Sequence, residues 1–565
     1  MLPFSALSVM LDLLCTKSLS MKYLSSLILS GVVAYTPLTL ALDQENPVAY
    51  IPAQCYTNPV DEITGQVANP CYTCHTDSRR PNYIDDGEIQ TLFSFTEAAL
   101  VNNWKNYFKG FSTRASEISN QVILDYVREN NYFNQAGQNL IAKRILTHLA
   151  EYDSNNNGQW DGYIPDIYYQ FDNEGFDRTP THGYTGWRAF AYYPFPGGFM
   201  PTNGSTDDVI IRLPAAFQQD TNGKFDLEIY KTNLAIVEAL IKEKDIPITA
   251  TDEKRLEVDL DKDGTLGTAQ IIRYDWAPRE GRMMSYVGKA KALLTSGKQH
   301  LAAGLYPVGT EFIHSVRYLD IDSQQRVQMA PRMKELRYAR KTFWVNYFQH
   351  DRIAAKELKE RHDFPDRIKQ VIGSAEAGVR VPQGWVYQGF IEDQTGALRP
   401  QSYEEHVFCT GCHSGIGVIT DTTFAFKRKL DSDQFQQGWY HWTQKSFAGI
   451  PEPRRESDGE YEYSFYLKHN PTGDEYRSNM EVKDKFFDFY GEPKPEAFAA
   501  LHEDISELLL PSPARALELN KAYKALVEEQ SYVKGRESML VGEGVIHRQV
   551  ELDQKTGIET PLQFH

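Results

Sequence analysis

Two short stretches organise this chain: Cys71-Tyr72-Thr73-Cys74-His75 and Cys409-Thr410-Gly411-Cys412-His413, each of the form C-x-x-C-H. They use four of the six cysteines, and 338 residues separate His75 from His413. Helical patterns accompany each motif. Ser94-Phe-Thr-Glu97 has capping-box spacing and opens a run with Ala98, Val101, Trp104 and Phe108 at helical intervals. Ser116 to Val127 and Gln138 to Tyr152 repeat that period. After the second motif, Pro495 to Leu510 reads as helical, and from residue 333 Lys334, Arg337 and Lys341 fall on one face of an expected helix. Residues 153–332 differ: rich in Gly, Asp, Asn and Tyr, with the strand-like Asp208-Val-Ile-Ile-Arg-Leu213 and the turn signal Asn222-Gly223. The expected fold class is therefore α+β, with mainly helical motif-bearing regions flanking a large mixed α/β insertion.

The spacing of the motifs has a chemical reason. Two thiols three positions apart can each add to one vinyl group of a haem, while the adjacent His reaches the iron. Zinc would draw four Cys and His ligands around one ion, and a His immediately after the second Cys is poorly placed for that. A redox dithiol would not need the His twice. Covalent haem binding is thus expected at Cys71, Cys74, Cys409 and Cys412, with His75 and His413 on the irons, giving two haem c groups as cofactors.

On these motifs and an export signal the chain resembles the di-haem c-type cytochromes, and the resemblance implies a redox role outside the cytoplasm. Bacterial di-haem peroxidases are a distant analogy for chemistry, because their motifs lie much closer together than these.

The sixth iron positions decide between electron transfer and ligand chemistry. Glu311 to Leu319 reads as a strand whose alternation puts His314 on the face of Phe312, Val316 and Tyr318. His441, between Trp439 and Trp442 in a Trp-Tyr-His-Trp run, is a second candidate, and Met200, followed by Pro201, a third. His148 and His182 are weaker alternatives. The cations Lys334, Arg337, Arg340 and Lys341 read as a solvated helix face or as partners for haem propionates. Cys55 has no obvious partner in the exported chain.

Two acidic loops carry alternating oxygen side chains and then Gly, as a calcium loop requires: Asp153, Asn155, Asn157 and Asp161 in one, Asp259, Asp261 and Asp263 in the other. Both lack the bidentate Glu at position 12, where Ile164 and Gln270 stand. A solvated Asx turn is the alternative reading.

The 565 residues suffice for several domains, and 24% charged with 41% hydrophobic residues describes a globular chain. A net charge of -17 is the wrong sign for a phosphate-binding surface, so nucleic acid is not an expected partner. From Met21, an expected start, a basic residue, an apolar run and Thr39-Leu40-Ala41 read as a signal peptide, with a membrane anchor as the alternative. Removing residues 1–41 takes Cys15 with them. The expected domains are a leader over 1–41, a helical first haem domain over 42–152, the insertion over 153–332 and a second haem domain over 333–565. The expected protein is a periplasmic di-haem electron-transfer cytochrome without an integral membrane segment in its mature chain. Its partners would be a redox protein or a small-molecule electron donor or acceptor. A haem-dependent oxidoreductase with one open iron and a haem-based sensor or binding protein are the alternatives.

Overall fold

In the computed structural model the described residues are 50–58, 70–76, 80–84, 86–92, 95–197, 201–431, 433, 435–470, 479–538 and 546–552. The signal segment, Cys15 and Met200 lie outside them. The chain is α+β, built on a ten-stranded antiparallel sheet in the order β1-β2-β4-β7-β8-β11-β10-β9, with β3 pairing β7 and β12 pairing β11. The strands are β1 (Phe176–Arg178), β2 (Tyr184–Phe190), β3 (Thr206–Asp207), β4 (Val209–Arg212), β7 (Glu311–Ile321), β8 (Val327–Lys341), β9 (Ile372–Ser374), β10 (Gly378–Arg380), β11 (Trp385–Glu392) and β12 (Leu398–Pro400). A separate two-stranded ribbon joins β5 (Ile246–Asp252) to β6 (Thr268–Ile272).

Both faces of the sheet are covered, and the period-two alternation of its strands sorts their side chains between two cores. Ile210, Ile313, Leu336 and Phe390 join one core with Tyr132, Ile141 and Ile145. Ile211, Phe312, Trp385 and Tyr387 join the other, against the helix Leu227–Lys242. Asp226 caps that helix by accepting from the backbone N–H groups of Glu228 and Ile229, and nearly the whole helix is buried.

The expected strand at 208–213 and the one at 311–319 correspond to β4 and β7. The helix expected from residue 333 is instead β8, paired antiparallel with β11 and, across register shifts around Arg317, with β7. Its cations are not one solvated face: Lys334 and Lys341 are buried and Arg337 half-buried, while Arg340 is exposed. The expected domain boundary at 332 falls inside this strand. The run after Ser94 forms only the 3-10 turns Glu97–Ala99 and Lys105–Phe108. The run from Ser116 breaks at Ser119, which caps the helix Asn120–Arg128 by accepting from Val122 N–H. The Pro495 run is likewise two helices, Pro495–Glu503 and Ser506–Leu509.

Candidate functional site: a thiol-lined chamber

The second motif closes the helix Tyr403–His413, which starts from a reciprocal capping box between Ser402 and Glu405. Cys409 and Cys412, three apart, share one face of it. The first motif sits on the 3-10 turn Pro70–Thr73, tied by Cys71 C=O, which accepts from Cys74 N–H (3.1 Å) and His75 N–H (2.9 Å). The two segments come together because the helix accepts the N-terminal strand of chain at close range: a Cβ on Gly411 would lie 2.7 Å from Tyr50 O. Ile51, Tyr56, Trp104, Tyr107 and Ile416 form the small core beside them.

Both motifs line one chamber, with about 2780 Å³ of empty space including its mouth. Its walls carry Cys55, all four motif cysteines, His75 and His413. Aromatic rings, among them Phe95, Trp104, Tyr192, Phe312, Phe408 and Phe424, surround them, and Lys334, Arg337, Arg428 and Arg536 add positive charge. No disulfide joins the five described cysteines. Burial, reinforced by Cys71 and Cys412 nearby, holds the Cys55 thiol well above its ordinary range, and burial also raises Cys409.

His413 is oriented by a second layer of residues. Its Nδ1 lies 2.6 Å from Thr422 O, so Nδ1 carries the proton and Nε2 keeps its lone pair. Burial, more than the nearby His314 and Arg337, pushes its pKa down to about 4, so the ring is neutral at physiological pH. Thr422 is itself held in the left-handed region (φ 65°), as is Asp421 (φ 46°), an uncommon pair for residues without glycine's freedom. The fixing bonds are Tyr387 OH to Thr422 O (3.0 Å) and Lys341 Nζ to both oxygens of Asp421 (2.7 and 2.9 Å), with Lys341 and Asp421 fully buried. Burial opposes ionisation of Asp421, yet Lys341 and His350 hold its pKa below the usual range. Neither Asp421 nor Thr422 stands in a motif, and a β-branched Thr is among the residues least expected in the left-handed region.

The other expected ligands separate. His314 lies on the chamber wall, with Nδ1 3.8 Å from Asp207 Oδ1. His441 does not line it: Nε2 is 2.9 Å from Asp208 Oδ2 and Nδ1 2.8 Å from Thr443 Oγ1, so both ring nitrogens are engaged in a different core. His148 and His182 are exposed.

The acidic loops also differ from each other. Asp153 accepts from Asn157 N–H and Gly158 N–H, and Asp161 from the side-chain amides of Asn155 and Asn157. At the other loop Asp259 and Asp261 gather with Glu253, each offering an oxygen within 4.8 Å of the others, while Asp263 turns to Thr265. Glu253, absent from the sequence reading, is fully buried and accepts from Leu260 N–H and Gly267 N–H. Asp259 Oδ1 is buried with no hydrogen-bond partner.

No solved structure matches this chain. An uncharacterized lipoprotein of Aquifex aeolicus (strain VF5) is 29% identical, over 92% of this chain and 91% of its own length. Lipoprotein relatives accord with export, and no helix among the described residues is long and apolar enough to cross a membrane. A five-residue attachment motif specifies local chemistry and leaves the fold open, so it cannot by itself assign a family. The model of a lipoprotein family, described as "-like lipoprotein", matches residues 39–499; it overturns the assignment of the chain to the di-haem c-type cytochromes and the electron-transfer function built on it, and the chain belongs to this lipoprotein family.

Proposed function

We propose that the chamber is a covalent cofactor site of an exported, periplasmic protein, in which Cys71 with Cys74 and Cys409 with Cys412 each hold one haem. One observation carries this reading: two C-x-x-C-H motifs, remote in sequence, line a single aromatic-walled, cation-bearing chamber. Each thiol S–H would add across a vinyl C=C, which forms the thioether without an oxidant. The haem iron supplies redox-active ligand chemistry when bound. The protein's own part is to hold and orient. His75 and His413 are the adjacent ligands, and Thr422 keeps the Nε2 of His413 unprotonated. His314 is the wall histidine available as a further ligand, and Arg337 and Arg536, which share Glu335 on the same wall, would have to exchange that partner to hold propionates.

The test is a haem count on protein exported from a host that attaches haem to cysteine pairs. Two haems per chain are expected, falling to one in C71A/C74A and to one in C409A/C412A. Exported protein without haem, with all five thiols free to alkylation, would overturn the reading.

A second proposal concerns the 259 loop. Glu253 supplies from an earlier position the carboxylate that position 12 lacks, and with Asp259 and Asp261 it makes a calcium site. The buried, unpartnered Asp259 Oδ1 favours this loop over the 153 loop, where both oxygens of the equivalent Asp153 accept N–H groups.

A further inference from the structure

A second cavity, with about 2000 Å³ of empty space including its mouth, opens between the β5 ribbon, the helix Leu227–Lys242 and the segment around Trp439. Most of the charge on its walls is already matched. Lys231 pairs with Glu174, Lys242 with Glu238 and Asp431, and Lys429 with Glu238. Arg188 on β2 is the exception. It is 5% exposed, and its guanidinium lies over the Trp439 ring (4.0 Å) and the Phe176 ring (4.3 Å). Its Nε donates to Glu174 O (3.0 Å), and it forms no ion pair with a carboxylate among the described residues, although Glu174, Glu238 and Asp172 lie near enough to support its charge.

A guanidinium held against two rings at a cavity wall, without an ion pair, keeps its charge available to that cavity. It is well suited to a ligand carboxylate, whose two oxygens match the planar fork. The same walls hold acceptors that lack donors. Glu238 Oε2 is buried and unpartnered although its Oε1 is engaged by lysines, and Gln436 Oε1 is buried and unpartnered as well. Ile246, Ile248, Leu227 and Ala235 supply the apolar part.

We infer that this cavity binds a small carboxylate monoanion that also carries hydroxyl groups, with its carboxylate on Arg188 and its hydroxyls donating to Glu238 and Gln436. A single negative charge matches the one wall cation that forms no ion pair among the described residues. The site is independent of the chamber, so it stands whether or not haem is attached.

The probes are gluconate, its neutral counterpart sorbitol, and acetate, each titrated into the full exported protein while thermal melting and tryptophan fluorescence are followed. Gluconate is expected to raise the melting temperature and to perturb the Trp439 emission, with sorbitol silent and acetate at least tenfold weaker. R188M keeps an apolar chain between the two rings, so it should fold and melt no lower than the unliganded wild type, yet lose the response to gluconate. R188K, which has charge without a fork, should bind at least tenfold more weakly than wild type. No response to gluconate in the wild type, an unchanged response in R188M, or equal binding of acetate and gluconate would each overturn the inference.

Discussion

At the residue scale, the chamber depends on charges placed where water cannot reach them. Lys341 and Asp421 are both fully buried and together hold the turn that offers Thr422 O to His413. Removing one partner of such a pair leaves the other uncompensated, so K341M should lower unfolding free energy by about 3–5 kcal/mol in denaturant titrations, and K341M/D421N should recover part of it. A smaller loss in the single variant than in the double would contradict the pairing. His406 gives a pH dependence. Its Nε2 accepts from Gly389 N–H (2.8 Å), and burial pushes its pKa down to about 4. The unfolded ring takes up its proton near pH 6.5 while the folded one resists until about 4. Stability from this group is therefore complete above pH 6.5 and is lost as pH falls toward 4, by up to about 3 kcal/mol. His413 acts in the same direction. H406Q, whose amide oxygen can accept the same N–H, should flatten part of the stability slope between pH 6.5 and 4; an identical slope would refute it.

At the element scale, the helix Tyr403–His413 reads clearly from its capping box, yet its position depends on a missing side chain. Alanine is the better helix former, so G411A should strengthen the isolated helix by up to about 1 kcal/mol. In the folded protein its Cβ would stand 2.7 Å from Tyr50 O, a contact with backbone that cannot swing aside. Net destabilisation of about 1–3 kcal/mol is expected, together with faster alkylation of Cys55 as the chamber opens. A more stable G411A would mean that the N-terminal segment does not rest on this helix. β8 carries the opposite lesson. Apart from the exposed Arg340, its charges, spaced like the polar face of a helix, are buried or half-buried, with Arg332 paired to Glu392 (2.8 Å) and Glu335 to Arg337 (2.8 Å) and Arg536 (2.9 Å). A central strand covered on both faces has no solvent side to give its sequence a period of two, so the cations at 334, 337 and 341 mimicked a helix.

At the scale of the whole molecule, the sheet brings together residues that the chain keeps hundreds of positions apart, and the proposed calcium site depends on the same kind of assembly. Asp261 titrates above its ordinary range, through partial burial first and then through Glu253, Asp263 and Asp259 around it, and a cation would relieve that repulsion. Calcium at 100 times its dissociation constant should stabilise the protein by about 2.7 kcal/mol, read as a rise in melting temperature over a chelator control, with D261N losing most of the rise. Equal melting with calcium and with chelator would remove the site.

The sequence by itself determined the α+β class, strands β4 and β7, and the face on which His314 lies, because these rest on spacings of one to eight residues. It did not determine the family, since five-residue motifs constrain bonds to a cofactor and not the path of the other residues. Only the tertiary structure decided that Cys71 to His75 and Cys409 to His413 share one chamber, that His441 belongs to a separate core, and that Glu253, Asp421 and Arg188 matter. The physical reason is the same in each case: a buried charge or thiol takes its meaning from partners contributed by distant strands and helices, and no local pattern encodes which of them will meet.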